Sequence, residues 1–266
     1  MKLARSTVAS VILAIAMVFG WISVTTYLVD QSLFAPGRFA AAAKVAISDP
    51  TVRAEVAHSI TMALYSTQGS VSTSTVNQID TALGASLLNP TLQSEFTNAF
   101  TLAQEHVMGL YHGSYTFGGP ALKSLLQTNL AAVNPQLAAF ISAQPAPSVT
   151  IPGTGLPNLG KLYQNIHPIE RDSLAIAIVL ALIALLVSPR KGRLITTAGF
   201  WLMAMSVAEA FLFWILPRYI IPLSNSSWSP VLSHVISALA GPAGTVYITL
   251  FASGIVLALL GRLARR

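Results

Sequence analysis

The chain has 266 residues, of which 53% are hydrophobic and only 9% charged, with a mean hydropathy of +0.65. Soluble domains carry about 25% charged residues, so this composition excludes an ordinary soluble protein and points to the membrane. The formal net charge is +6, and with no cysteine the chain can form no disulfide, thiolate zinc site or iron–sulfur cluster.

The first predicted element is the uncharged run Thr7 to Val29, preceded by Met1-Lys2-Leu3-Ala4-Arg5. Secretory signals also begin with basic residues, but their apolar region is about 7–15 residues and ends at a small-x-small cleavage site. Here 23 uncharged residues run on to Tyr27-Leu28-Val29-Asp30, so residues 1–29 read as an uncleaved transmembrane anchor.

Residues 30–172 are polar and read as helical until near their end. Asp49-Pro50, Asn89-Pro90 and Asn134-Pro135 are helix-start signals. Asp or Asn caps the first turn, and proline in the first helical position lacks an N–H that would be unpaired anyway. After Pro50, Val52, Val56, Ile60 and Leu64 share a helical face; after Pro90, Leu92, Phe96, Phe100, Ala103, Val107 and Leu110 do so. Pro50-Thr51-Val52-Arg53-Ala54-Glu55-Val56 also aligns with Pro90-Thr91-Leu92-Gln93-Ser94-Glu95-Phe96, with a shorter copy from Pro135 that sets Leu137 and Ile141 in matching positions. A repeated helix-pair unit has such spacing; the competing reading is capped helices that look alike for local reasons. A Ser/Thr/Gly loop is expected from Ser66 to Thr75. The proline-rich segment from Gln144 to Gly160 is expected to be extended, with one short strand at Ser148-Val149-Thr150-Ile151.

Three more uncharged runs follow: Ser173 to Pro189, Leu194 to Pro217 (broken by Glu209) and Gly244 to Gly261. A hydrocarbon core about 30 Å thick takes about 17–25 helical residues at about 1.5 Å each, and all four runs meet that length. The expected fold is an all-α membrane protein with four transmembrane helices. Residues 30–172 form an extracytoplasmic helical domain between the first and second, and residues 173–266 a three-helix transmembrane region. Between the last two runs, Trp228 to Ala240 has an apolar face and is expected to lie in the outer interface rather than to dip in as a re-entrant helix.

Charge placement gives the orientation. Lys2, Arg5, Arg190, Lys191, Arg193, Arg262, Arg265 and Arg266 flank the span ends on one side, with no acid among them, while the segments on the other side balance basic and acidic residues. This bias predicts a multi-pass plasma-membrane protein with both termini and the Ser188–Arg193 turn in the cytoplasm. Clusters so placed suit anionic lipid headgroups, at about 1 kcal/mol per basic residue, rather than nucleic acid; a basic surface for acidic partners is the alternative.

Arg38-Phe39, Ser48-Asp49-Pro50-Thr51-Val52-Arg53, Phe96-x-x-x-Phe100 leading to Glu105-His106, the Pro-rich Val-Thr-Ile return and the Pro189-Arg190-Lys191-Gly192-Arg193 turn together resemble an uncharacterised family. Its members are four-span integral membrane proteins common in actinobacteria, with one helical domain outside. The likeness covers nearly the whole chain and implies topology. The family has no established activity to carry over.

Glu209 is the one ionisable residue inside a run. It lies 16 residues past Arg193, about 24 Å up a helix, in the outer part of the bilayer. A carboxylate at mid-bilayer costs at least about 2.5–3.5 kcal/mol, so Glu209 is the candidate functional residue. It is expected to be protonated or paired with Arg218 or His234, with Met205, Ser206, Leu212 and Phe213 beside it. The bland alternative is a packed structural carboxyl.

No two of His58, His106, His112 and His167 lie three or four residues apart, so no metal site is predicted. Serine-elbow, P-loop and Rossmann fingerprints are missing from the sequence, so no catalytic residue or cofactor is assigned. Small residues at Ala16/Gly20, Ala204/Ala208 and Gly254/Ala258 are expected to pack spans closely, within one chain or in a homo-oligomer.

The function expected is that of a non-enzymatic envelope protein whose outer domain binds a partner protein, a lipid or a wall component. One alternative is a subunit of a transport or cell-division complex, which the short cytoplasmic segments disfavour. The other is a lipid-modifying enzyme in which Glu209, His167 and Asp172 converge.

Overall fold

The computed structural model describes residues 2–65, 72–151, 158–220, 235–241 and 243–265. Its elements are α1 (Lys2–Val29), α2 (Arg38–Ser48), α3 (Pro50–Tyr65), α4 (Thr73–Ser86), α5 (Pro90–Val107), β1 (Tyr115–Gly118), α6 (Pro120–Ala131), α7 (Pro135–Ala143), β2 (Ser148–Ile151), α8 (Gly160–Val187), α9 (Lys191–Ala210) and α10 (Ala243–Leu263). Wider π-helical turns extend α1 over Asp30–Phe34 and α9 over Phe211–Ile220. The class is all-α, 84% helical, and the sheet among the described residues has two strands. The chain divides into two units: Met1–Ala35 with Lys161–Pro217 and Ala240–Arg266, and Pro36–Gly160 with Arg218–Leu239.

In the Pro36–Gly160 unit the three Asx-Pro signals start α3, α5 and α7 as expected. Asp49 Oδ1 accepts from the backbone N–H of Thr51 at 2.7 Å, Asn89 Oδ1 from Thr91 at 2.9 Å and Asn134 Oδ1 from Leu137 at 3.1 Å. Each of these helices follows another: α2 precedes α3, α4 precedes α5 and α6 precedes α7. Two residues after each proline, Val52, Leu92 and Leu137 are buried; six after it, Val56, Phe96 and Ile141 are buried too. The similarity noted in the sequence corresponds to matching Asx-Pro caps and core positions, while the helix pairs pack differently: α6 packs on α7, but α2 packs on α5 and α4 on α6.

The core of this unit forms where α2 packs on α5, α3 on α4, and α6 on both α4 and α7. Basic side chains close two helix ends. Arg53 Nη1 donates to the carbonyls of Ile47 and Ser48 at the end of α2, and Lys123 Nζ to those of Ser142 and Gln144 at the end of α7; C-terminal carbonyls favour such cations.

Three expectations shift. α4 starts at Thr73, inside the expected loop, because the Ser72 hydroxyl caps it by accepting from Thr75 N–H at 3.3 Å; residues 66–71 of that loop lie outside the described residues. Strand β2 falls at Ser148–Ile151 as read, but its antiparallel partner β1 was not anticipated. At the corner between β1 and α6, Gly118 has φ +104 and a Cβ there would lie 2.6 Å from the Pro147 carbonyl oxygen, so only glycine fits. Finally, α5 ends at Val107, which leaves Leu110 off its apolar face and 62% exposed.

The other unit contains the apolar helices. Three stretches among the described residues are long and apolar enough to cross a membrane: Arg5–Phe34, Lys191–Ile215 and Ala243–Leu263. The Ser173 run falls short because its helix, α8, ends at Val187; Glu170, Arg171 and Asp172 precede 15 uncharged helical residues, about 22 Å.

α8 runs antiparallel along α1. Ala184 packs with Ala9 and Leu13, Ala177 Cβ lies 3.9 Å from where a Cβ on Gly20 would be, and Ser23 Oγ donates to the Glu170 carbonyl at 3.0 Å. α9 and α10 also run antiparallel and cross with backbones touching: a Cβ on Gly192 would lie 2.7 Å from Gly261 O, and one on Gly199 2.5 Å from Gly254 O. Of the expected small pairs, Gly254/Ala258 are in contacts of this kind and Ala16 is buried, but Ala204 is exposed. Of the segment Trp228 to Ala240, residues 228–234 lie outside the described residues; 235–239 are helical, with Val235 and Leu239 buried.

Candidate functional site

Glu209 sits in the last turn of α9 and is fully buried. Its Oε1 accepts from the Trp21 indole Nε1–H at 2.6 Å and from the Thr25 hydroxyl at 2.5 Å. Trp21 and Thr25 are four residues apart on α1 and therefore share a face, so the carboxyl ties α9 to α1 through one oxygen. The second oxygen, Oε2, is buried and has no hydrogen-bond partner.

Around this carboxyl the apolar helices are linked by further polar contacts. The buried Ser206 hydroxyl, three residues before Glu209, donates to the Tyr247 carbonyl of α10 at 2.6 Å. Ser23, between Trp21 and Thr25 on α1, bonds to α8. Interhelical hydrogen bonds of this kind fix helix rotation where no water competes.

Of the expected neighbours, Met205 and Ser206 are buried beside Glu209, but Leu212 is 43% exposed. From Phe211 the helix winds with π-helical i→i+5 rings. Of the predicted partners, the side chain of Arg218 and the whole of His234 lie outside the described residues. The described partners come from α1 instead. A signal for them existed: Trp21, Ser23, Thr25 and Thr26 form a polar cluster in an otherwise apolar run.

The residues proposed for lipid chemistry do not join Glu209. His167 is exposed on α8 beside Pro168. Asp172 pairs with Arg171 at 3.1 Å in a solvent-exposed contact, a kind worth about 0–1 kcal/mol. His106 and His112 do approach, with ring centroids 6.5 Å apart and edge to face, because the chain turns back after α5 ends. No group of three or more His, Asp or Glu side chains among the described residues is placed to hold a metal ion. Comparison with family models, with curated proteins and with solved structures finds no match to this chain.

The arrangement can hold two helices in a fixed rotation, and its strength is measurable. A hydrogen bond between transmembrane helices averages about 0.6 kcal/mol and reaches about 1.7, and an ionised acceptor strengthens it. A double-mutant cycle of Trp21→Phe and Glu209→Leu, followed by detergent-driven unfolding, is expected to give a coupling of about 1–2 kcal/mol. Coupling indistinguishable from zero would remove the latch from this account.

Proposed function

We propose that this chain is a four-span integral membrane protein of the cell envelope. It is non-enzymatic, and its helical unit, held outside between the first and second spans, binds a partner protein, a lipid or a wall component. The observation that carries this reading is the opposite surface of the two units. The apolar helices turn large hydrophobic side chains outward, as with Leu186 at 79% exposed and Ile248 at 67%, whereas the helical unit buries Leu83, Leu92, Leu122 and Leu126 completely. Helices apolar on their outer surface need lipid; a helical unit that closes a core of its own is built for water.

The fourth span is α8. Its uncharged part is about 22 Å long, but Ile178, Val179 and Leu182 on it are each more than half exposed, and Ser188 and Pro189 extend the uncharged stretch before Arg190. Modest thinning of the bilayer accommodates a short span at a fraction of a kcal/mol per Å.

Reporter fusions at Gln68 and at the C-terminus are expected to give opposite signals, active outside only at Gln68. Matching signals would reject the topology. For binding, a photo-cross-linking residue at Val133, a surface position 72% exposed, should capture a partner in native membranes. Capture only from the Ser188–Arg193 turn would favour a subunit of a transport or division complex.

A further inference from the structure

Cations from three helices meet at one end of the apolar unit. α9 and α10 cross where the start of one meets the end of the other: a Cβ on Gly192 would lie 2.7 Å from the Gly261 carbonyl oxygen, 3.1 Å from the Ala264 carbonyl carbon and 3.0 Å from Arg265 Cγ. The Arg265 stem therefore rests against the first turn of α9, in which Lys191 and Arg193 flank Gly192. α1 joins them at the same level. It runs parallel to α9, because Ala9 and Leu194 share a core cluster while Trp21 and Thr25 meet Glu209 further along both helices. Arg5 and Arg190 stand four residues before Ala9 and Leu194.

Arg5, Arg190, Lys191, Arg193, Arg262 and Arg265 are all exposed, and none makes an ion pair among the described residues. The acids of the unit lie toward the opposite end. Asp30 and Glu209 come near the far ends of α1 and α9, and Glu170 and Asp172 precede the apolar part of the antiparallel α8. Like charges without counter-ions repel, and an anion from outside the chain relieves that. Beside the cations the surface is apolar: Leu259 and Leu263 are 54% and 63% exposed, and with Arg262 they share one side of α10. What fits here is anionic at one end and apolar along its length.

We propose that this end of α1, α9 and α10 binds an anionic phospholipid, with its phosphate between Lys191 and Arg265 and an acyl chain along Leu259 and Leu263. Along the sequence these residues are scattered, and the crossing at Gly192 and Gly261 makes them one site. An arginine fork matches phosphate oxygens in pairs, and basic sites between transmembrane helices take such headgroups. A zwitterionic headgroup adds a trimethylammonium that the arginines repel. Free phosphate lacks the chain that covers Leu259 and Leu263. The inference rests on the reading of α1, α9 and α10 as spans, which puts the cluster at a bilayer surface.

The test starts with the full chain in phosphatidylcholine vesicles, where resistance to alkaline carbonate extraction checks the span reading by itself. Release would overturn that reading and the proposal together. The chain is then titrated in detergent micelles with phosphatidylglycerol or phosphatidylcholine of the same acyl chains, and bound lipid is followed by native mass spectrometry. Saturable binding of phosphatidylglycerol is expected, at least about fivefold tighter than phosphatidylcholine, since each basic residue near anionic lipid contributes about that factor. Lys191→Gln combined with Arg265→Gln should weaken it at least about tenfold, because glutamine keeps the stem over Gly192 and removes the charge. Lys44→Gln combined with Lys161→Gln removes the same net charge from exposed positions elsewhere and should leave binding unchanged. In the unsubstituted chain, added salt should weaken phosphatidylglycerol binding and spare phosphatidylcholine, a readout that needs no variant. Equal binding of the two lipids, equal loss in the two variants, binding indifferent to salt, or displacement of phosphatidylglycerol by millimolar inorganic phosphate overturns the proposal.

Discussion

Gly199→Leu is expected to separate α9 from α10 and to destabilise the apolar unit more than any other single change in its helices. The reason is what the new side chain meets. A Cβ at Gly199 would already lie 2.5 Å from the Gly254 carbonyl oxygen and 2.6 Å from the Ala258 backbone nitrogen. Overpacking against side chains costs about 1–3 kcal/mol because side chains give way; here the obstacles are backbone on the facing helix, which moves only as a whole. Contact is reciprocal, since a Cβ on Gly254 would lie 2.7 Å from Gly199 O and one on Gly261 2.6 Å from Gly192 O. Losing this seam also strains the Ser206 to Tyr247 bond further along the same pair. Detergent-driven unfolding of the full chain should show a loss beyond about 3 kcal/mol. Ala204→Leu, at an exposed position of the same helix, should stay within about 0.5 kcal/mol. Comparable losses at the two sites would mean that the helices do not cross at the glycines.

That seam illustrates what a linear reading misses. Sequence reasoning sought small residues four apart on one helix; it found Gly254 and Ala258, which do meet Gly199, and also Ala204, which is exposed. The structure pairs Gly192 and Gly199 with Gly254 and Gly261, seven apart on each of two antiparallel helices, and Gly192 had been assigned to a turn. By contrast, the starts of α3, α5 and α7 were legible because a cap and a proline act within one turn, needing nothing from the rest of the chain. Strand β2 was legible from Val149-Thr150-Ile151 after two prolines. Its partner β1, four residues that end in a glycine, had no local pattern long enough to stand out.

The same distinction governs the candidate site. Glu209 was visible because a carboxyl in an apolar run is expensive wherever it packs. Its partners were not, because Trp21 and Thr25 precede it by 188 and 184 residues, whereas the search looked to nearby Arg218 and His234. A cavity between α3 and α4 was equally hidden: Ala54 of one helix and Gly84 of the other both line it, and neither residue type signals chemistry.

Phe96→Ala is expected to cost about 3–5 kcal/mol, as full truncation of a buried phenylalanine does. Phe96 is only 6% exposed and stands at the centre of an aromatic cluster. Its ring meets Phe117 of β1 edge to face at 5.5 Å and Phe100 at 4.9 Å. The neighbouring Phe100 shares the sequence stripe but is only half-buried, so Phe100→Ala should cost less, about 1–2 kcal/mol with the ring pair included. A further consequence follows from the sheet. Two strands of four residues are marginal by themselves, and β1 is held by Phe117 resting on Phe96. Hydrogen exchange on the full chain should therefore show Tyr115–Gly118 and Ser148–Ile151 losing protection in Phe96→Ala while α9 and α10 keep theirs. If Phe100→Ala costs as much as Phe96→Ala, or if the strands stay protected, the cluster does not centre on Phe96 and the stripe packs as a uniform face.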